Sequence, residues 1–184
     1  MSLFDKRAVA AAVRTEEDFS AALKSEVDVI FLLYSSIMTV EAQIGRAHKA
    51  GKKALIHMDF AEGIGKDRAG LHFIKLKGAD GILTTKTNMI RPAKDIGLVT
   101  VQRFFIVDSH SVDTAVESIR IAKPDVVEIM PGVVCKKIRE FSDKVRNTPI
   151  LAGGLIEFKE DVDNAIEAGA TAVSTANRQL WDYR

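Results

Sequence analysis

Two stretches of small residues late in the chain carry the strongest chemical signal. Gly153-Gly154-Leu155 follows one short apolar run, and Ser174-Thr175-Ala176-Asn177 follows another. Glycine lets a ligand approach the backbone closely. The hydroxyls of Ser174 and Thr175, together with unpaired backbone amides, are donors that suit an anion, most readily at a helix start. The chemistry these stretches fit is capture of a phosphate group. The plainer alternative is that the glycines only make tight turns.

A second set of residues is polar and interrupts apolar runs. Glu128 breaks Val126-Val127-Glu128-Ile129-Met130, and strand alternation puts it on one side with Val126 and Met130. A carboxylate there needs a hydroxyl, a cation or Arg103 as partner, because an unpaired buried charge costs several kcal/mol. Arg103 has Asp59 as a second choice. His57 reads equally as a satisfied core histidine, and Asp59 as a loop cap. Two carboxylates and a histidine could hold a divalent ion or do acid–base work, but His57-x-Asp59 with Glu128 is a loose pattern for either. There is no nucleophile elbow, no Walker-type loop and no lysine set inside a strand for a Schiff base; Gly63-x-Gly65 lacks the rest of a dinucleotide fingerprint. No catalytic residue and no metal ligand is assigned.

These residues need elements to bring them together. Eight strand-like runs alternate with helical patterns: Ala8 to Val13, Val27 to Leu33, Ala54 to Met58, Gly81 to Thr84, Leu98 to Phe105, Val126 to Met130, Ile150 to Ala152 and Ala170 to Val173. The helices between them are expected at about 15–24, 39–50, 67–77, 89–94, 111–122, 135–145 and 157–168. Thr15 to Asp18 reads as a capping box, Gly51 and Gly78 as helix ends, and Pro124 as a stop. Arg178 to Arg184 is too short for a full outer helix. Alternation of this kind implies a parallel sheet with right-handed crossovers. Eight units favour a compact (β/α)₈ TIM-type barrel with short loops and an incomplete last helix, one domain over residues 1–184. An open doubly wound sheet is the alternative. In a barrel the strands' carboxyl ends share one mouth, and the loops after strands seven and eight commonly hold phosphate. His57, Asp59, Arg103 and Glu128 then meet there, with Arg14, Thr84, Lys86 and Gly132 as further mouth contacts. Ser35, Ser36 and Gln102 are expected at the same end.

Composition bounds the rest. The chain has 184 residues, short for a barrel of about 250. Hydrophobic residues make up 47% and charged residues 28%, ordinary for a soluble protein. The single cysteine, Cys135, excludes a disulfide framework within one chain. No signal peptide or membrane-spanning run is visible, so a cytoplasmic protein is expected. The net charge of +1 offers no general attraction for nucleic acid, so any such face must be local.

The motifs together resemble a known family, the glycerol-3-phosphate-responsive antiterminators of bacterial glycerol-uptake operons. The resemblance runs from about Val9 to Trp181. It is carried by His57-Met58-Asp59 with Gly63-Ile64, by the block Gly81 to Asn88, by Gln102 to Asp108, by Lys123-Pro124-Asp125 with Glu128 and Pro131-Gly132, and by Ala152-Gly153-Gly154. Ala168 to Thr175, Asn177 and Leu180-Trp181 complete it. The resemblance implies a barrel, no enzymatic activity, no cofactor, glycerol 3-phosphate as ligand and the leader mRNA of a glycerol-catabolism operon as partner. The expected site then divides in two. Gly153, Gly154, Leu155, Ser174, Thr175, Ala176 and Asn177 hold the phosphate, and His57, Asp59, Arg103 and Glu128 meet the polyol. The alternative is an enzyme acting on a small phosphorylated polyol, a phosphodiesterase or transferase.

The family's RNA contacts cannot be carried over by motif. The basic clusters available are Arg46, Lys49, Lys52 and Lys53, and Lys136, Lys137, Arg139, Lys144 and Arg146. Lys136, Lys137 and Arg139 are preferred because they follow Pro131-Gly132 at the barrel mouth.

Overall fold

The computed structural model describes residues 3, 4, 9–145 and 147–183. Its eight strands are all parallel and close in sequence order, β1 next to β2 and onward until β8 returns to β1. The strands are β1 (Val9–Val13), β2 (Val29–Leu32), β3 (Lys53–His57), β4 (Gly81–Thr84), β5 (Val99–Phe105), β6 (Val126–Met130), β7 (Ile150–Gly153) and β8 (Ala172–Thr175). Between them lie α1 (Glu16–Lys24), α2 (Val40–Lys49), α3 (Arg68–Leu76), α4 (Thr87–Asp95), α5 (Ser109–Ala122), α6 (Cys135–Lys144) and α7 (Lys159–Glu167). A single 3-10 turn, Arg178–Leu180, stands where an eighth outer helix would be. The barrel is closed, so the open sheet is excluded. Among the described residues no helix is long and apolar enough to cross a membrane.

Helix starts follow local chemistry. Thr15 Oγ1 accepts from the Asp18 amide and opens α1. Asp67 caps α3 by accepting from the Gly70 amide. Asp108 accepts from the Ser111 amide, which starts α5 two residues earlier than the apolar pattern alone suggests.

The pleat sorts strand residues into two layers. Outward residues such as Ile30, Ile56, Ile82, Val127, Ala152 and Val173 pack beneath the helices in the main core. Inward residues form a separate plug in the barrel's lower half: Ala10, Phe31, Leu55, Leu83, Val101, Val126, Leu151 and Ala172. Two residues further along its strand, Leu55 is succeeded by His57, Val101 by Arg103, Val126 by Glu128 and Ala172 by Ser174. The apolar plug therefore gives way, one pleat higher, to a polar layer at the mouth.

One boundary and one side-chain orientation differ in ways that matter. The last strand was expected at Ala170 to Val173 but lies at Ala172–Thr175. The α7 end accounts for this: the Ala170 amide still donates to Ala165 O, so the chain becomes extended later. Ser174 and Thr175 are consequently strand residues, not loop residues. Gln102, expected at the mouth, faces outward, where its Nε2 donates to Thr87 Oγ1 and Ser118 Oγ under α4 and α5. Ala8, Arg146 and Arg184 lie outside the described residues.

Candidate functional site

The mouth is assembled by the loops after β7 and β8. Gly153 is a glycine for want of space: a Cβ there would stand 2.5 Å from Glu128 Oε1 and 2.6 Å from Ser174 Oγ. Gly154 and Leu155 both take left-handed backbone, at φ 75° and 59°. That is costless for Gly154 and strained for Leu155. The second loop is tied to the first. Thr175 Oγ1 donates to Ile156 O at 2.7 Å, and Asn177 Nδ2 donates to Glu157 O at 2.7 Å. Buried Trp181 anchors the end, its Nε1 donating to Thr175 O at 2.9 Å. The β6–α6 loop joins them through the Gly132 amide, which donates to Gly153 O at 2.6 Å and Gly154 O at 3.0 Å.

These bonds commit several of the donors named from sequence. Ser174 Oγ donates to Glu128 Oε1 at 2.6 Å, and the Asn177 amide donates to Thr175 Oγ1 at 3.0 Å. The amides of Gly154, Leu155, Ile156 and Ala176 are different: among the described residues none has a hydrogen-bond acceptor. They flank a cavity of about 590 Å³, whose lining includes Arg14, Arg103, Gly154, Leu155, Ser174, Thr175, Ala176 and Asn177. Ala12, Leu33, Met130, Ile156, Glu157, Phe158 and Gln179 complete the lining. None of these seven is among the residues expected at the site: the apolar ones contribute by shape, which carries no chemical signature, and Glu157 and Gln179 stand in segments that read only as a helix start and a short tail.

Beneath the cavity lies a buried polar chain. Arg103 Nε donates to Glu128 Oε2 at 2.6 Å, and Arg103 Nη1 lies 3.2 Å from His57 Nε2. Glu128 is fully buried, and its two oxygens are divided between Arg103 and Ser174. Arginine has only donors, so His57 Nε2 must accept and the imidazole proton must sit on Nδ1. Burial, reinforced by the positive charge of Arg103, lowers the His57 pKa to about 4, against a smaller opposing pull from Asp59. His57 is therefore neutral at physiological pH.

Asp59 turns elsewhere. Its Oδ1 accepts from Thr84 Oγ1 at 2.7 Å, and its Oδ2 accepts from the Thr85 amide at 2.8 Å and Thr85 Oγ1 at 2.9 Å. Burial alone would raise its pKa, but these bonds outweigh it and hold the carboxyl below the usual value. Asp59 thus clasps the β4–α4 loop, and Arg103 takes Glu128 of its two available acids. Of the four residues expected around the polyol, Arg103 lines the cavity, while Glu128 and His57 lie behind it and Asp59 to one side. Lys86 is exposed beside Thr85. Among the described residues no group of three His, Cys, Asp or Glu side chains is arranged to hold a metal ion.

The basic clusters fare unequally. Arg46 is bound to Glu16 at 2.6 Å and lies over the Phe19 ring, and Lys52 Nζ donates to the Ser25 and Val27 carbonyls. On α6, Lys137 pairs with Glu140 at 2.8 Å, while Lys136 and Arg139 are exposed.

The chain matches the family model described as glycerol-3-phosphate responsive antiterminator over residues 9–181. It is 37% identical over 182 residues to the uncharacterized protein YgcP of Escherichia coli K12, covering 98% of this chain and 95% of that protein. Among solved structures it is similar to a glycerol uptake operon antiterminator regulatory protein of Listeria monocytogenes, at 30% identity and a TM-score of 0.93 with 98% of both chains covered. A glycerol uptake operon antiterminator-related protein of Thermotoga maritima aligns at 32% identity and a TM-score of 0.86, covering 95% of this chain and 98% of that one.

Proposed function

The chain belongs to the glycerol-3-phosphate responsive antiterminator family, and from that premise we propose that it senses glycerol 3-phosphate in the barrel-mouth cavity and, in response, acts on the leader mRNA of a glycerol-catabolism operon. Family membership supports a regulatory role. The observation that carries the ligand reading is that the amides of Gly154, Leu155, Ile156 and Ala176, which have no acceptor among the described residues, belong to residues lining a cavity that Arg103 also lines. A phosphate among those amides replaces water with fixed donors. Arg14 at the rim adds a positive charge. The polyol hydroxyls then meet Arg103 and the Ser174 hydroxyl, with Glu128 accepting behind both.

An RNA face at Lys136, Lys137 and Arg139 is part of this reading. What favours it is the Gly132 link. That amide fastens the loop before α6 to the two carbonyls of the phosphate loop. Filling the site can thereby bias the start of α6, and any such coupling acts equally in both directions.

Catalysis fits less well. A carboxylate that acts as general acid or base must come within hydrogen-bond reach of the substrate. Glu128 is bonded on both oxygens and Asp59 holds Thr84 and Thr85. The discriminating experiment is calorimetric titration with glycerol 3-phosphate, beside assays for phosphodiester turnover with magnesium or calcium supplied. Binding without turnover supports the sensor; turnover supports the enzyme.

A further inference from the structure

We propose that His57 and Phe60 together position Arg103 for ligand recognition, His57 as the acceptor that fixes the guanidinium and Phe60 as the lid over His57; this rests on the reading that the cavity takes a phosphorylated polyol. Phe60 does not line the cavity, and nothing in its sequence position suggests a role there.

The geometry is a relay from surface to site. Phe60 is 62% exposed, yet its ring is stacked on the His57 imidazole with centroids 4.5 Å apart and planes 13° from parallel. His57 is 1% exposed. Its Nε2 meets Arg103 Nη1, and its Nδ1 has no hydrogen-bond partner among the described residues. The imidazole is therefore held by one hydrogen bond and one stacked ring. Arg103 in turn is fixed at Nε by Glu128 and at Nη1 by His57, which leaves Nη2 to face the cavity it lines.

Among the described residues the charged groups acting on His57 are Arg103 from β5 and Asp59 from the loop after β3, with Glu128 of β6 bound to the far side of Arg103. Removing Phe60 admits water to the imidazole and makes its protonated form accessible. A protonated His57 has no lone pair on Nε2 and repels the guanidinium, so Arg103 loses one of its two anchors. Ligand affinity then becomes sensitive to acid in a range where the native protein is not.

The test is titration of glycerol 3-phosphate into wild type, Phe60→Ala, His57→Gln and His57→Leu at pH 7.5 and pH 5.5, with NMR of the imidazole nitrogens in wild type and Phe60→Ala. The ligand's own phosphate titration cancels in the ratio of variant to wild-type affinity. For Phe60→Ala that ratio should be modest at pH 7.5 and reach about tenfold weaker at pH 5.5, the worth of one charge-assisted hydrogen bond. His57→Gln keeps an uncharged acceptor and should bind nearly as wild type at both pH values. His57→Leu should lose about tenfold at both. The wild-type ring should be neutral and protonated on Nδ1 at pH 7. Unchanged binding in Phe60→Ala, a Gln variant as weak as Leu, or a wild-type ring protonated on Nε2 would each overturn the proposal. A wild type that does not bind glycerol 3-phosphate would overturn the reading beneath it, and the claim with it, while the NMR would still report the His57–Arg103 geometry.

Discussion

Arg103 Nε donates to Glu128 Oε2 across 2.6 Å, with the two side chains 8% and 0% exposed. Breaking such a pair leaves a buried charge behind, which typically costs about 3–5 kcal/mol. Glu128→Ala should therefore lower stability by about that amount in urea unfolding. Arg103→Met with Glu128→Leu removes both charges and should cost less than Glu128→Ala alone. A double variant as unstable as the sum of its singles would show that the pair is not coupled.

The two glycines of the β7–α7 loop should respond differently. A Cβ on Gly154 meets only the flexible end of Met130, at 2.8 Å, although its φ of 75° is unfavourable. Gly154→Asp should fold with a penalty of about 1–2 kcal/mol and lose ligand binding through like-charge repulsion. Gly153→Ala drives its methyl into Glu128 and Ser174 and should destabilise the barrel itself. Thermal melts with and without glycerol 3-phosphate separate the two. A ligand-induced shift in Gly154→Asp equal to wild type would move the site elsewhere.

Much of this arrangement was legible in the sequence, and the gaps have physical causes. Eight alternating units sufficed for the barrel, because buried parallel strands write themselves as short apolar runs. Glu128 announced itself as a charge inside such a run. Ser174 was legible as a donor but not as the partner of Glu128, since the last strand begins two residues later than its apolar run. Gln102 is expected at the mouth from strand position alone, which cannot tell which face of a strand end a side chain takes; Asp59 is at the strand ends, where it clasps Thr84 and Thr85. The Phe60–His57 stack joins residues three apart in sequence through a loop whose shape has no sequence signature.

Hydroxyl recognition predicts discrimination. A site whose polar groups expect hydroxyls leaves them unpaired when the ligand has none. Propyl phosphate should bind at least about tenfold more weakly than glycerol 3-phosphate. Equal affinities in competition calorimetry would remove Arg103, Ser174 and Glu128 from ligand recognition.

Acid should weaken the fold in a defined window. The folded His57 pKa, about 4, lies below the ordinary 6.5, so between those values the unfolded chain binds more protons. Stability contributed by neutral His57 is complete above pH 6.5 and declines as pH falls toward 4, by at most about 3 kcal/mol. His57→Gln should flatten that part of the stability curve. An identical pH dependence in the variant would show that His57 does not carry it.

RNA binding should be electrostatic and local. Phosphate contacts release counterions, so affinity should fall steeply with salt. Lys136→Glu with Lys137→Glu should weaken leader-RNA binding and reduce the salt slope. Unchanged affinity in that variant would exclude the α6 face.

The most direct test of the account is titration of leader RNA into the protein with and without saturating glycerol 3-phosphate, with Gly154→Asp as control. In wild type the ligand should tighten RNA binding and RNA should tighten ligand binding by the same factor, and Gly154→Asp should show neither effect. RNA affinity unmoved by saturating ligand in wild type would contradict it.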